Sequence, residues 1–137
     1  MIDYQYVENQ ELSNVKKISL WLNNVIEEEG KQTGELVYVL CKDDYLLKKN
    51  IQFLNCNTFT DVITFDYRKG EIINGDILIS TERVAENSKI YKVKYLTELH
   101  RVMVHGLLHL LGYNDKNEKS KKTMREKENY YLNKFSD

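Results

Sequence analysis

The alternation of hydrophobic and polar residues marks four segments of the chain as strands. Half-buried strands alternate apolar and polar positions, and strands in general are rich in β-branched and aromatic residues. Segments with these patterns are residues 2–7, 34–41, 61–67 and 75–80. The turn-like sequence RKGEIIN joins the last two segments, which predicts that they form neighbouring strands of one sheet.

Apolar residues at spacings of three and four predict helices elsewhere in the chain. The first helix falls within residues 11–30 and ends at Gly30, and the second begins at Asp43, a plausible N-cap. The stripe of the second helix consists of Leu46, Leu47, Asn50, Ile51 and Leu54. The segments 81–93 and 96–112 and the tail rich in Lys and Glu also favour helix.

Together these segments predict an α+β fold, with a mixed sheet of about four strands packed with helices and a helical C-terminal part. The chain has 137 residues and no proline, and it contains no internal repeat or low-complexity segment. This length is sufficient for one hydrophobic core but short for two. We therefore expect a single domain over residues 1–137.

Composition and charge narrow the classes of function. The formal net charge of -1 argues against broad electrostatic attraction to nucleic acid, so DNA is not an expected partner, although residues 91–95 form a local basic segment. Neither an apolar run of about eighteen residues nor a signal-peptide pattern is found, so we expect a cytoplasmic protein without a membrane partner. Cys41 and Cys56 lack a paired spacing and are expected to be reduced.

Two of the three histidines, His105 and His109, stand four residues apart in the sequence HGLLHLLGYND. At this spacing two side chains share one face of a helix, and two imidazoles can converge on one metal ion. His100 points about 140° away from His105 around the helix, so we expect it at the surface or behind the ligands. The leucines that surround the pair should bury the helix; they are Leu107, Leu108, Leu110 and Leu111.

A third ligand is predicted from the residues that follow the histidines. Gly112 can adopt the left-handed conformation that ends a helix, and the chain can then return across the helix end. This return would bring the carboxylate of Asp115 towards the two imidazoles. Catalytic zinc sites have three protein ligands and one open position, where bound water becomes acidic enough to ionise near neutral pH. We therefore expect a Zn²⁺ ion, with manganese or another divalent ion as the alternative.

The spacing of the histidines and the glycine resembles that of the metzincin peptidases, so the segment has the form of a zincin-like metal helix. Those enzymes have a glutamate directly after the first histidine, and this glutamate acts as the general base. The corresponding position here is Gly106. Without that carboxylate the peptidase interpretation weakens.

The same segment resembles more closely the signature HGxLHLxGYDH of the YbeY family of bacterial metal-dependent endoribonucleases. Two further segments, TDVITF at residues 60–65 and GDILIS at residues 75–80, resemble the strand motifs TDVLSF and GDIxIS of that family. Met124 and Glu128 occupy the positions of its M-x3-E motif. These ordered matches cover about the C-terminal two thirds of the chain, and the family fold is α+β.

The resemblance implies a function. It implies a metal-dependent endoribonuclease that cuts single-stranded RNA in rRNA maturation, at the 3′ end of 16S rRNA, and in ribosome quality control. The expected partners are rRNA and the small ribosomal subunit. The three metal-binding histidines of the family fall on His105, His109 and Asp115, so the third ligand is a carboxylate here. No catalytic residue is assigned beyond the metal-bound water.

A second departure from the family lies in the loop at residues 54–62. The family has the longer pattern LNxxYRxxDxPTDV, whose arginine is suited to holding phosphate, whereas this chain has LNCNTFTDV. The cations that could replace the arginine are Arg68, Arg83, Lys94 and Arg101. For contact with substrate the sequence suggests Thr60, Asp61 and Arg101, and a local structural role is the alternative for Asp61.

Two other functions stay open from the sequence. The first is a zincin-like metallohydrolase of another substrate, for which Glu98 or another carboxylate near the metal would supply the missing base. The second is a ribosome-assembly factor without catalytic activity, in which the metal ion is structural. The short loop without arginine favours this second alternative.

Overall fold

The computed structural model describes residues 1–135 and confirms the predicted α+β fold. The strands are β1 (Ile2–Tyr6), β2 (Gln32–Cys41), β3 (Val62–Asp66) and β4 (Ile72–Ser80). The helices are α1 (Val15–Glu28), α2 (Asp43–Leu54), α3 (Thr81–Tyr91), α4 (Tyr95–Leu110) and α5 (Glu118–Phe135). All three helices after β4 belong to the C-terminal part, as the hydrophobic pattern predicts.

The four strands form one mixed sheet in the order β1-β2-β4-β3. β1, β2 and β4 are parallel, while β3 runs antiparallel to β4. Parallel neighbours need a crossover connection, and α1 supplies it between β1 and β2. The prediction that the third and fourth strands are neighbours is confirmed, although β4 begins at Ile72, three residues before the predicted Gly75.

The two faces of the sheet bury different amounts of apolar surface. Alternate residues of the central strands, among them Tyr38 and Ile77, form the larger core together with α1, α4 and α5. The opposite face forms a smaller core beneath α2, which includes Val39, Cys41 and Leu78. The helix that carries the histidines therefore packs on the more extensively covered face.

Helix α2 departs from its predicted form in two ways. Its N-cap is Lys42, and Asp43 is the first helical residue, where its carboxylate accepts a hydrogen bond from the Ser80 hydroxyl at 2.6 Å. Ile51 and Leu54 of the predicted apolar stripe are 45% and 49% exposed. The smaller core covers only the face of α2 that carries Leu46 and Asn50, so the stripe is wider than the surface available to bury it.

Helix α4 approaches the sheet closely at Gly106. A Cβ atom built on Gly106 would lie 2.8 Å from Cγ2 of Ile77, which leaves no room for a side chain. The four leucines that were expected to bury this helix are all buried: Leu107, Leu108, Leu110 and Leu111. The contact fixes the height of α4 above the sheet and turns its histidine face away from it.

The two cysteines are not joined in a disulfide. Cys41 and Cys56 are both free, and burial, together with the charge of Asp43, raises the pKa of the Cys41 thiol to about 12. Cys41 is therefore an unreactive part of the core.

Within residues 1–135, none of the helices combines the length and the apolar character that crossing a membrane requires.

Replacing Gly106 with Ala should lower the free energy of unfolding by about 1–3 kcal/mol, because the new methyl group overlaps the Ile77 side chain. Denaturant unfolding measures this change. Ile77→Ala removes the overlapping methyl group, so the loss in the double variant should be smaller than the sum of the two single losses. Additive losses would show that the contact between α4 and the sheet is not the cause.

Candidate metal centre

His105 and His109 lie on the face of α4 that points away from the sheet. Their Nε2 atoms are 3.1 Å apart, and their rings meet edge to face with centroids 4.7 Å apart. Both side chains are partly exposed. The spacing of four residues thus brings two imidazole nitrogens to one point, as the helical geometry predicts.

The residues after α4 return the chain to this point. Gly112 has a φ of 108°, and the Tyr113 N–H donates to the Leu108 carbonyl at 3.0 Å in the hydrogen-bond pattern of a glycine-terminated helix. Asp115 Oδ2 then lies 3.8 Å from His105 Nε2 and 3.7 Å from His109 Nε2. The structure therefore brings the three predicted ligands together.

The geometry of the three donor atoms fits one metal ion. Zinc binds nitrogen and oxygen ligands at about 2.1 Å in a tetrahedron, which places the ligand atoms about 3.4 Å from one another. The donor atoms of His105, His109 and Asp115 lie 3.1–3.8 Å apart. The group can hold a metal ion by these three atoms, and its partial exposure leaves one side accessible to water or substrate.

A buried carboxylate holds His105 from behind. Glu128 of α5 is only 5% exposed, and its Oε2 accepts a hydrogen bond from His105 Nδ1 at 2.6 Å. Its Oε1 accepts a hydrogen bond from Arg101 at 2.8 Å, and the second guanidinium nitrogen of Arg101 donates to Asn129 at 2.8 Å. A carboxylate bound to the far nitrogen of a ligand histidine fixes the tautomer and the ring orientation. The family motif includes Glu128, but the sequence did not predict its hydrogen bond to His105.

The ring of His109 is also held by a second partner. It forms a hydrogen bond to the backbone of Tyr113, which leaves its Nε2 facing His105. The Tyr113 hydroxyl donates to Glu29 at 2.6 Å, and Lys127 contacts the same carboxylate at 3.1 Å. The turn that carries Asp115 is therefore tied to both α1 and α5.

The two imidazoles titrate in opposite directions. Burial lowers the pKa of His105, but the hydrogen bond and the charge of Glu128 outweigh burial and raise it above its ordinary value. Burial and the nearby charge of His105 lower the pKa of His109. In the metal-free protein, one proton can therefore lie between the two Nε2 atoms, on the His105 side. A metal ion at this point would displace that proton.

The three residues suggested for substrate contact lie around the site in different situations. Arg101 is engaged by Glu128 and Asn129, so its guanidinium supports the metal centre from behind. Thr60 contacts the backbone of Val62 at 3.5 Å. The backbone carbonyl of Asp61 accepts a hydrogen bond from Ser80, and its side-chain charge raises the pKa of His105. The side chain of Asp61 thus lies near the site.

The remaining basic residues differ in their distance from the site. Arg83 forms an ion pair with Asp43 at 3.1 Å, at the start of α3. Arg68 donates to the Gly70 carbonyl, and its Nη1 lies 3.9 Å from the position that a Cβ atom on Gly112 would occupy. The sequence did not indicate Arg125, an exposed residue of α5 that lies 3.7 Å from Glu128. Arg68 and Arg125 therefore lie next to parts of the metal centre.

His100, expected at the surface or behind the ligands, is partly exposed and packs against α1 and α5. Its ring packs against Phe135 and Trp21, with centroid distances of 4.2 and 6.0 Å. Burial, with a smaller contribution from Lys17, lowers its pKa to about 4. His100 is therefore a neutral member of an aromatic cluster between α1, α4 and α5.

Glu98 of α4 is a second buried acid beside Glu128 of α5. It lies two helical turns before His105 and on nearly the same side of the helix, and it is 5% exposed. Burial raises its pKa, with smaller contributions from the charges of Asp61 and Glu128. Glu98 therefore keeps its proton to a higher pH than an ordinary glutamate does.

Fold and site together define a class of protein: an α+β domain with a mixed sheet, on which a histidine-bearing helix and a glycine turn present three donor atoms for a metal ion. The family model for "Endoribonuclease YbeY" matches residues 3–136. The chain belongs to the YbeY family.

Individual relatives agree with this assignment. An endoribonuclease YbeY from Flavobacterium psychrophilum is 46% identical over 135 residues, which cover 98% of this chain and 96% of that protein. One from Flavobacterium johnsoniae is 44% identical over 128 residues, or 93% and 92% of the two chains. A solution structure of a Thermotoga maritima protein covers 98% of this chain and 89% of its own, with a TM-score of 0.73 and 26% identity. The similarity thus extends over the whole fold.

The Glu128→Gln variant should show how far this carboxylate controls His105. Without the hydrogen-bonded negative charge, the opposing effect of burial gains weight, so the pKa of His105 in the metal-free protein should fall. NMR titration of the imidazole nitrogens measures this pKa and the tautomer. Glu126→Gln, at an exposed position on the same helix, is the control. An unchanged His105 pKa in Glu128→Gln would contradict the assignment.

Proposed function

We propose that this chain is a metal-dependent endoribonuclease that cleaves single-stranded RNA by hydrolysis during rRNA maturation, including the 3′ end of 16S rRNA, and in ribosome quality control. The observation that carries the proposal is the convergence of His105 Nε2, His109 Nε2 and Asp115 Oδ2 in a member of the YbeY family. The small ribosomal subunit is the proposed partner. Work on ribosomal RNA implies a cytoplasmic location.

We assign the metal ligands to these three atoms and the ion to Zn²⁺, with Mn²⁺ as the alternative. A carboxylate in place of a third imidazole makes the site more accommodating to harder ions. When bound, a divalent ion of this kind supplies Lewis acidity for a phosphate oxygen and lowers the pKa of water. One position stays free because the group contains three protein donors among residues 1–135, whereas structural zinc sites use four. This supports a hydrolytic role over a structural one.

The residues of the chain have separate tasks in this proposal. Glu128 keeps the Nδ1 proton on His105, so that Nε2 presents its lone pair to the ion. Arg101 neutralises Glu128 and so prevents an uncompensated buried charge behind the site. Arg68 and Arg125 are the nearby cations that can stabilise charge on a phosphate, which is the main requirement of phosphoryl transfer. Thr60 and Asp61 directly precede β3 and are proposed to line the substrate groove.

A peptidase mechanism finds no support at the position after His105. Gly106 faces the sheet at a distance that excludes any side chain, so no glutamate could act as base from there. Glu98 is the alternative acid, and burial raises its pKa, but it lies two helical turns, about 10 Å, before His105. Nothing in the site is specific for a peptide.

Cleavage of RNA is the direct test of the proposed function. The metal-loaded protein should cut a labelled single-stranded RNA and leave a duplex of the same sequence largely intact, and a chelator should stop the reaction. His109→Ala should lower the rate by about 100-fold or more, because removal of a ligand costs at least as much as removal of a residue behind it. Asn114→Ala, next to Asp115, is the control. Intact single-stranded RNA after incubation with fully metal-loaded protein would refute the proposal.

The role of Asp115 can be tested without any RNA. Asp115→Ala should weaken metal binding by about 10-fold or more, as measured by competition with a chromophoric chelator. Asp115→His should keep tight zinc binding and lower the affinity for manganese relative to zinc, since imidazole suits zinc and carboxylate suits manganese. Full metal occupancy in Asp115→Ala under competition would show that another group is the third ligand.

A further inference from the structure

The corner between α3 and α4 is unusual in this chain. All of its residues from position 89 to position 96 are exposed, and their sequence is KIYKVKYL. The segment, here called the basic corner, contains three lysines and two tyrosines but no acidic residue, in a chain with 21 acids and a net charge of -1. Positive charge is therefore concentrated locally at this end of α4.

The backbone of the basic corner has a defined shape. Helix α3 ends at Tyr91, Lys92 adopts the left-handed conformation with a φ of 57°, and the Val93 N–H donates to the Ser88 carbonyl at 3.0 Å. Helices that end in this way usually have glycine at the left-handed position. Lys92 is less favourable than glycine in this backbone conformation. The shape of the turn therefore does not explain why a lysine occupies position 92.

The side chains of the basic corner make few contacts with the rest of the protein. Ile90 is 64% exposed, Tyr91 60% and Leu96 54%. Within the described part of the chain, the lysines at positions 89, 92 and 94 take part in none of the ion pairs. Their charges are therefore available to a ligand.

The basic corner is connected to the metal centre by α4 itself. Lys94 is the N-cap of this helix and precedes His105 by eleven residues. Eleven residues of an α-helix turn through about 1,100°, so the two positions differ by about 20° in direction and about 16 Å in height. Lys94 and His105 therefore lie on the same side of α4, within the span of a short single strand of nucleic acid.

We propose that the basic corner binds the single-stranded RNA that flanks the cleaved bond, with its lysines on phosphates and Tyr91 stacked on a base. The proposal rests on the proposed function. Lysines that form no ion pair attract phosphates, and exposed aromatic rings next to them stack on bases without regard to sequence. The aliphatic residues alone would also fit a protein or a lipid surface, but the three lysines outside the ion pairs of the described residues and the shared side of α4 favour RNA.

The charges of the corner are tested by RNA binding at several salt concentrations. The full chain is kept metal-free with EDTA so that the labelled RNA stays intact, and fluorescence anisotropy gives its affinity. Replacing Lys89, Lys92 and Lys94 with Gln should make the negative slope of log affinity against log salt shallower by about 2, since each phosphate contact on a single strand contributes about -0.7. The control replaces three exposed lysines elsewhere, Lys16, Lys48 and Lys69. Equal slopes in the two triple variants would overturn the proposal.

The ring of Tyr91 has its own test. Tyr91→Leu should weaken RNA binding by about 5-fold or more, the loss expected when a base loses its stacking partner. Tyr91→Phe should bind as the wild type does, because the ring and not the hydroxyl makes the contact. Normal RNA binding by Tyr91→Leu would show that the proposal is wrong. Binding to phosphatidylserine vesicles is measured in parallel. If the triple lysine variant loses affinity only for these vesicles, the surface serves another partner and the proposal is wrong.

Lys92→Gly separates binding from folding. Glycine relieves the left-handed residue, so the thermal midpoint of unfolding should rise while RNA affinity falls. A purely structural lysine would not weaken binding when a more favourable backbone residue replaces it. Because binding is measured on metal-free protein, these results do not depend on RNA cleavage. Cleavage by wild type with no effect of the corner variants would leave the proposed function standing and remove only this inference.

Discussion

The buried carboxylate of Glu128 is the interaction on which the arrangement of the metal centre depends. A negative charge removed from water is costly unless partners compensate it. Here one oxygen accepts from His105 and the other from Arg101, so that burial, which raises the pKa of Glu128, is outweighed and the pKa is lowered. Both partners belong to α4, whereas Glu128 belongs to α5. The packing of α4 against α5 therefore determines the orientation of the His105 ring.

Contacts of other elements also position the site. Gly106 lets α4 lie against the sheet, which sets the level of the histidines. Tyr113 and Lys127 meet at Glu29 and hold the returning turn and α5 against the end of α1. His105 and His109 are thus each held by a residue outside α4, and the turn that carries Asp115 is held through Tyr113. Ligands that are held in this way lose little conformational entropy when an ion binds.

The sequence contained the local part of this site but not the contacts that complete it. His105, His109 and the glycine turn to Asp115 follow from helix geometry within eleven residues, so spacing alone predicts them. The bond between His105 and Glu128 joins residues 23 positions apart and depends on how α4 and α5 pack, which no periodicity reveals. The same reason applies to His100, which meets Trp21 and Phe135 from the two ends of the chain. For α2, the sequence shows the apolar stripe of the helix. It does not show how much of the sheet face is available to bury that stripe.

The proposed ligand Asp115, in place of a third imidazole, would change the charge of the whole site. A divalent ion with one carboxylate ligand has one positive charge fewer than the same ion with neutral imidazoles, so it attracts a polyanion less strongly. The compensation within the site is limited, because Glu128 already occupies Arg101 and the family loop with its arginine is shortened. Cations outside the ligand set must then supply the attraction. Arg68 and Arg125 lie close to the ligands, and the lysines of the basic corner lie further along the same side of α4. A substrate that spans all of them must be an extended polyanion rather than a small phosphate ester.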